Sequence, residues 1–353
     1  MHFVRFKNII PEFGALLYLA KEYFESEEIK PYIEKTVSAL ASIGKPRPAP
    51  PKADADTPIF IAQAKAAKKI LELAEQIAPT DMTVLLTGPT GAGKDQLAKY
   101  IHWYSGRKGK LVPVNCAAIP ETMVESELFG YSKGAYTGAD DNKPGLIELA
   151  EKGTLCLNEI AETPLNFQVK ILDFLESKTI RPVGSTQFKE VDVRIIAATN
   201  QDLQACMMKG KFRSDLYYRL KQIEISIPPL SERGEDIPEL ARHFLKEKGF
   251  GFSDDGNANK FEELCVLLSA RDWPGNIREL ENYLKVQSSI SGNNLTGLLE
   301  QVTDLSPSDS DFLLDILNET NWNQSEAARR LNLTEGGLRY RMSKLGIVRP
   351  SDK

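Results

Sequence analysis

Residues 82–104 read MTVLLTGPTGAGKDQLAKYIHWY (Met82–Tyr104). The run falls into three pieces. MTVLLT is short, apolar and rich in β-branched residues, which suits a strand. GPTGAGK is a glycine turn. DQLAKYIHWY places Leu97, Ile101 and Tyr104 at i, i+4 and i+7, along one face of a helix. The turn fits G-x-x-x-x-G-K through Gly88, Gly93 and Lys94. Its glycines let backbone N–H groups converge on phosphate oxygens, and the helix N-terminus adds positive dipole at the same place. Lys94 supplies a point charge for β- and γ-phosphates. Gly88, Pro89, Thr90, Gly91, Ala92, Gly93, Lys94 and Asp95 are therefore the candidate nucleotide contacts. A chance glycine turn is the plain alternative, and the flanking strand and helix speak against it. Asp95 stands where Ser or Thr usually ligates magnesium, so the metal contact needs a separate argument.

The chain's 353 residues are too many for one small core and imply two or three domains. A net charge of −5 excludes an overall cationic chain, so nucleic-acid binding would need a local basic patch. The four cysteines are widely spaced with no C-x-x-C pair, which favours reduced thiols over a metal or disulfide framework. Three histidines are too few for a His-rich metal site. No run approaches the ~18 apolar residues of a membrane span. A cytoplasmic protein with no membrane partner is expected.

Residues 1–45 hold two short amphipathic stretches, EFGALLYLAKEYFE and KPYIEKTVSALASIG, split by Pro31. A packing role, a partner-binding hairpin and a sensor remnant all fit this short helical N-terminal segment. Residues 46–58 are Pro- and Ala-rich and read as an extended, semi-stiff linker. From Ile59 the pattern becomes α/β. A long helical stretch from Ile59 leads into the strand at 82–87. Further strand-like runs are KLVPVNC (Lys110–Cys116), GTLCLNEI (Gly153–Ile160), DVRIIAATN (Asp192–Asn200) and QIEISIP (Gln222–Pro228). Strands alternating with helices imply a parallel sheet covered on both faces, with nucleotide at the carboxyl ends of its strands. Residues 59–229 form this core. After Pro228-Pro229 the strand signal stops, and three helical patterns make residues 230–296 a small all-α piece. Residues 297–310 are a second linker, and 311–353 are helical and locally basic. From Asn318 to Lys353 seven Lys/Arg face four Asp/Glu, a net of +3.

LCLNEI ends in Asn158-Glu159. In P-loop ATPases such a strand normally ends in Asp-Glu. The Asp holds the magnesium shell and the Glu orients or deprotonates the attacking water. Glu159 is the candidate for that second role, with an ordinary strand-end acid as the plain alternative. Asn158 keeps a carbonyl acceptor but has lost the negative charge that favours a dication. Asp95 is the candidate to compensate. ATP and Mg2+ are the expected cofactors, with Asp95 and Asn158 at the metal and with slowed hydrolysis.

ESELFGYSKGAYTGAD (Glu125–Asp140) lies between the two nucleotide motifs. By composition it is an exposed Gly/Ala/Tyr-rich insertion. ELFG followed by GAYTGA resembles the signature loop of bacterial enhancer-binding proteins, the AAA+ activators of sigma-54 RNA polymerase. The family's usual form is GAFTGA, so Tyr136 replaces a phenylalanine. The resemblance runs from about Ile59 to the C-terminus. It implies an AAA+ P-loop sheet with a helical lid. It implies that Gly134, Ala135, Tyr136, Thr137, Gly138 and Ala139 touch sigma-54 and move with nucleotide state. KFRSDLYYRL matches the family's arginine segment, so Arg213 and Arg219 are implied to act on a neighbouring subunit's γ-phosphate. Asn115 in VPVNC matches the switch residue that holds the catalytic Glu. Thr199-Asn200 match the first sensor, and WPGNIRELEN matches the second, placing Arg278 near the phosphates with Trp273 in a packing role. A self-assembled ring follows, a hexamer when active, with a dimer at rest.

NWNQSEAARRLNLTEGGLRYRMSKLGI (Asn321–Ile347) has the layout of a helix-turn-helix. Ala327, Ala328 and Leu331 form one apolar face, Asn332 suits the turn and Thr334 suits an N-cap. Leu338, Met342 and Leu345 point inward at i, i+4 and i+7. Glu335, Gly337, Arg339, Tyr340, Arg341 and Lys344 are left to face bases and phosphates. The stretch resembles the Fis-type DNA-binding domain of the same activators, with Asn332 at the usual turn glycine and Gly337 at the usual threonine. A small helical capping domain is the plain alternative. Together these features describe a sigma-54-dependent activator that binds enhancer DNA and couples ATP hydrolysis to polymerase remodelling. A nucleotide-switched DNA-binding regulator with little hydrolysis is the competing reading, and a remodelling ATPase outside transcription is third.

Overall fold

A computed structural model describes residues 57–303 except Thr137, 253–254 and Asn293, together with isolated stretches between 313 and 347. The expected N-terminal helices, and all but the last residues of the first linker, lie outside the described residues.

Residues 57–64 run without regular structure into α1 (Lys65–Ile77). The helix therefore starts later than its apolar pattern suggests. It buries Ala67, Ile70, Ala74 and Ile77 along one face. β1 (Val84–Thr87) leads through the glycine turn into α2 (Lys94–Ser105). β2 (Leu111–Asn115) is followed by α3 (Val124–Phe129) and a short antiparallel hairpin, β3 (Gly130–Tyr131) with β4 (Lys143–Pro144). Next come α4 (Leu146–Leu149), β5 (Thr154–Asn158) and α5 (Leu165–Ser177). A second hairpin, β6 (Thr179–Ile180) with β7 (Lys189–Glu190), precedes β8 (Arg194–Thr199). α6 (Leu203–Met208), α7 (Ser214–Leu220) and β9 (Ile223–Ser226) complete the core.

The five long strands form one parallel sheet in the order β2-β5-β8-β1-β9. All six residues of β8 are buried, as a central strand requires. Alternate residues face opposite layers. Leu85, Leu155, Leu157 and Ile195 pack with α5 and α7, whereas Val84, Leu86, Cys156 and Ile196 pack with α1 and α2. Each fully buried Leu, Ile or Phe contributes roughly 1.5–3 kcal/mol. Arg194 is a buried exception. Its guanidinium donates to the carbonyls of Ile77, Ala78 and Met82, capping the end of α1, and burial lowers its pKa to about 10.

The lid comprises α8 (Ile237–Glu247), α9 (Asp255–Ser269), α10 (Asn276–Ile290) and α11 (Leu295–Thr303). Its core includes Leu240, Leu245, Phe261, Leu264, Trp273 and Leu284. Trp273 packs as expected, with its indole N–H on Leu268 O at 2.9 Å. α11 changes one boundary: Leu295 and Leu298 are buried in this core, so residues 297–303 belong to the lid and not to a linker. Its short apolar pattern, cut off by the polar DLSPSDS run, hid that helix.

Two polar nodes join lid to sheet. Buried Arg233 pairs with buried Asp236 at 2.8 Å and donates to Ala92 O of the glycine turn. Asp236 also accepts from the N–H groups of Gln63 and Ala64, mooring the extended segment ahead of α1. Asn276, buried with φ 57°, donates to Thr90 O and Pro274 O and accepts from Leu230 N–H. In the tail, Leu313, Leu317, Ala327, Ala328, Leu338 and Met342 form a separate small core around α12 (Gln324–Arg330).

Candidate nucleotide site

The parallel register brings the ends of four strands to one edge: Thr87 beside Thr199, and Asn115 beside Asn158. The chain turns sharply there. Gly88, Gly91 and Gly93 all have positive φ, and a Cβ on Gly91 would lie 2.2 Å from Gly275 O of the lid. Gly93 caps α2 without a side chain, so first-turn N–H groups remain for an anion. Lys94 is buried at the loop's centre, its Nζ donating to Gly88 O (2.8 Å) and Pro89 O (3.1 Å). Burial pulls its pKa down, while Glu159 and Asp95 oppose that pull.

A cavity of about 510 Å³ opens beside this loop. Its polar lining includes Thr90, Lys94, Asp95, Asn115, Asn158, Glu159 and Arg278. Its apolar lining comes from Ile59, Phe60 and Ile61 and from Leu240, Phe244 and Ile277 of the lid. A lining of both kinds suits a nucleoside polyphosphate. Glu159 follows β5 at φ 55°, a left-handed conformation that is costly for a non-glycine residue and re-aims the chain at the strand end. Asn158 Oδ1 accepts from Cys156 Sγ at 3.3 Å. The oxygen donors of Asp95, Asn158 and Glu159 fit Mg2+, which keeps much of its shell as water and phosphate.

Asn200, Arg213 and Arg219 lie apart from the cavity wall. Asn200 does not line the cavity but donates to Thr90 Oγ1 at 2.9 Å. Asn115 lines the cavity together with Glu159, and its Oδ1 accepts from Ala117 N–H at 3.2 Å, capping the turn after β2. Arg213 and Arg219 are both absent from the cavity wall. Arg213 is exposed and pairs with Asp215 at 2.6 Å, which raises the arginine's pKa and lowers the aspartate's. Arg219 reaches Leu175 O at 3.4 Å.

Gly134–Ala139 sits at the tip of the β3–β4 hairpin, with Gly134 and Gly138 at positive φ and Tyr136 exposed. Thr137 lies outside the described residues. In the tail, Glu335 pairs with Arg339 at 3.3 Å and accepts from Ser325. Gly337, Tyr340, Arg341 and Lys344 lie outside the described residues.

Comparison with known proteins bears directly on these elements. The Sigma-54 interaction domain matches residues 60–226, the AAA+ ATPase lid domain residues 231–300, and the Fis family of bacterial regulatory proteins residues 307–345. The transcriptional regulatory protein ZraR of Escherichia coli (strain K12) is 37% identical over 356 residues, covering 94% of this chain and 78% of that protein. This chain belongs to the sigma-54-dependent transcriptional activators.

The activator is also 41% identical over 295 residues to the response regulator protein PilR of Pseudomonas aeruginosa, spanning 66% of its length. NtrX from Brucella abortus, a solved structure, has a TM-score of 0.60 at 28% identity, covering 94% of this chain and 75% of that one. The same protein in complex with ATP scores 0.58. The lid match to residue 300 agrees with α11 as part of the lid. Among the described residues, no helix is long and apolar enough to cross a membrane.

Sequence reading missed three parts of the site. The Ile59–Ile61 wall looked like the start of a helix. Arg233 and Asp236 carried no assignment in the sequence, and Asn276 none beyond its place in WPGNIRELEN. A buried i, i+3 Arg–Asp pair ahead of an amphipathic helix offers only a faint sequence signal.

Proposed function

We propose that this activator hydrolyses ATP in a ring of its own copies and uses the cycle to remodel the sigma-54 RNA polymerase closed complex from enhancer DNA. One observation carries the reading. The cavity gathers Lys94, Asn115, Glu159 and Arg278, whereas Arg213, the N-cap of α7, and Arg219 within it stand outside the cavity wall. A site lacking its own finger is completed by a neighbour's guanidinium on the γ-phosphate. Gly88, Pro89, Thr90, Gly91, Ala92 and Gly93 cradle the phosphates, and Lys94 neutralises them. Glu159 orients the attacking water and receives its proton. Asn115 and Asn200 report the state of the γ-phosphate. Asp95 and Asn158 would hold magnesium, which would supply neutralising charge at the phosphates. Gly134, Ala135, Tyr136, Thr137, Gly138 and Ala139 present the contact to sigma-54. Glu335, Gly337, Arg339, Tyr340, Arg341 and Lys344 face DNA, through phosphates and base edges.

Transcription in vitro from a sigma-54 promoter tests this. Open complexes are expected with ATP and not with a non-hydrolysable analogue; equal yields with both would overturn the reading. Arg213→Ala is expected to lose turnover and keep nucleotide binding. Asn158 favours a second reading, in which nucleotide is only a switch for assembly. Asn158→Asp is then the discriminating variant: a rise in turnover marks Asn158 as a brake on a working ATPase, and no turnover in either chain favours the switch.

A further inference from the structure

The tyrosine that replaces phenylalanine in GAYTGA has a specific neighbour. Tyr136 is 49% exposed, yet its ring centroid lies 5.1 Å from that of Tyr131, with planes at 60°. Aromatic pairs favour such tilted contacts. The two tyrosines belong to different parts of the structure. Tyr136 is in the loop tip. Tyr131 is in β3, paired with Lys143 and bridged to Val183 of the second hairpin loop. Ser132 N–H donates to Val183 O and Val183 N–H to Gly130 O, both at 2.9 Å, so Tyr131 is pinned on both sides. The loop touches the same hairpin once more: a Cβ on Gly184 would come within 2.7 Å of Ala135 Cβ. By contrast, a Cβ on Gly134 or Gly138 would meet nothing within 4 Å. The loop is therefore docked at a few points, one of which is the aromatic pair.

We propose that Tyr131 is a positioning residue for the signature loop: its ring holds Tyr136 in the docked position, and engagement of sigma-54 requires that the pair separate. This rests on the reading that Gly134–Ala139 contacts sigma-54. A pair of this kind biases a docked–released equilibrium about 2- to 10-fold, small enough for nucleotide state to reverse. Tyr136→Phe keeps the ring contact, so it is expected to loosen the loop less than Tyr136→Ala.

Hydrogen exchange on the nucleotide-free full chain reads the docking directly. The amides of Gly134, Ala135 and Ala139 donate to Ala139 O, Ser132 O and Tyr136 O at 2.8, 3.0 and 3.0 Å. Tyr131→Ala is expected to speed their exchange about 2- to 10-fold and leave α2 unchanged. Tyr136→Ala alters an exposed tip, so it tests the same contact even if Tyr131→Ala fails to fold. The double variant is expected to be no faster than either single one. Unchanged loop exchange, or additive effects, would overturn the proposal. In a second arm, nucleotide-free Tyr131→Ala is expected to retain more sigma-54 than wild type. Faster exchange with no gain in retention would overturn the guarding role. If wild type also fails to retain sigma-54 with an ATP transition-state analogue, the failure belongs to the loop's assignment and not to the pair.

Discussion

His102 on α2 shows how burial sets a proton's place. Its Nδ1 lies 2.9 Å from buried Thr154 Oγ1, and burial, with Arg107 and Arg194 nearby, holds its pKa below 6.5. The unfolded chain therefore binds this proton first. The neutral ring contributes stability in full above about pH 6.5, and that contribution is lost as pH falls through the lower folded value. The loss is at most about 1.4 kcal/mol per pH unit. Urea titrations between pH 5 and 8 are expected to show a steeper decline below pH 6.5 for wild type than for His102→Gln. Cys116 and Cys156 follow the same physics in the opposite direction: burial raises both thiols to about 12, so neither is a nucleophile at neutral pH.

At the scale of elements, the joints between sheet and lid matter most. α10 begins at Asn276, whose amide spans the lid and the glycine turn, while Ile277 N–H donates to Gly91 O at 3.0 Å. Asn276→Ala leaves these groups unsatisfied, which costs about 1–3 kcal/mol. Asn276→Gly loses the same bonds but suits φ 57°, so thermal unfolding of both variants separates hydrogen bonding from backbone strain. The Arg233–Asp236 pair is more exacting. Removing one partner strands a buried charge, and Asp236→Ala is expected to cost about 3–5 kcal/mol in denaturant titrations. Because Asp236 also moors Gln63 and Ala64, that variant is expected to weaken nucleotide binding by loosening the Ile59–Ile61 wall. Equal affinity in the folded variant would show that the wall does not depend on its mooring.

At the scale of the molecule, the separation of Arg213 from Lys94 makes an assembly test possible. Lys94→Ala and Arg213→Ala are each expected to lose ATP turnover. Mixed together, they are expected to recover it, because a site with Lys94 can meet a neighbour with Arg213. Random mixing in equal amounts completes roughly a quarter of the interfaces in a head-to-tail ring. No recovery in ATPase assays of mixtures that form rings would show that the arginines do not act across subunits.

Much of this was legible in the chain. The glycine loop, the five strands and the arginine segment are contiguous motifs, and local sequence carries their chemistry. Backbone geometry at Gly88–Lys94 follows from residue types alone, so the phosphate site was readable without coordinates. What the tertiary structure decided depends on partners distant in sequence. Thr90 meets Asn276 across 186 residues, and Arg233 meets Ala92 across 141. The order β2-β5-β8-β1-β9 and the arginines' place outside the cavity are likewise decided by packing. No periodicity or propensity encodes such contacts, because they exist only once the layers have closed.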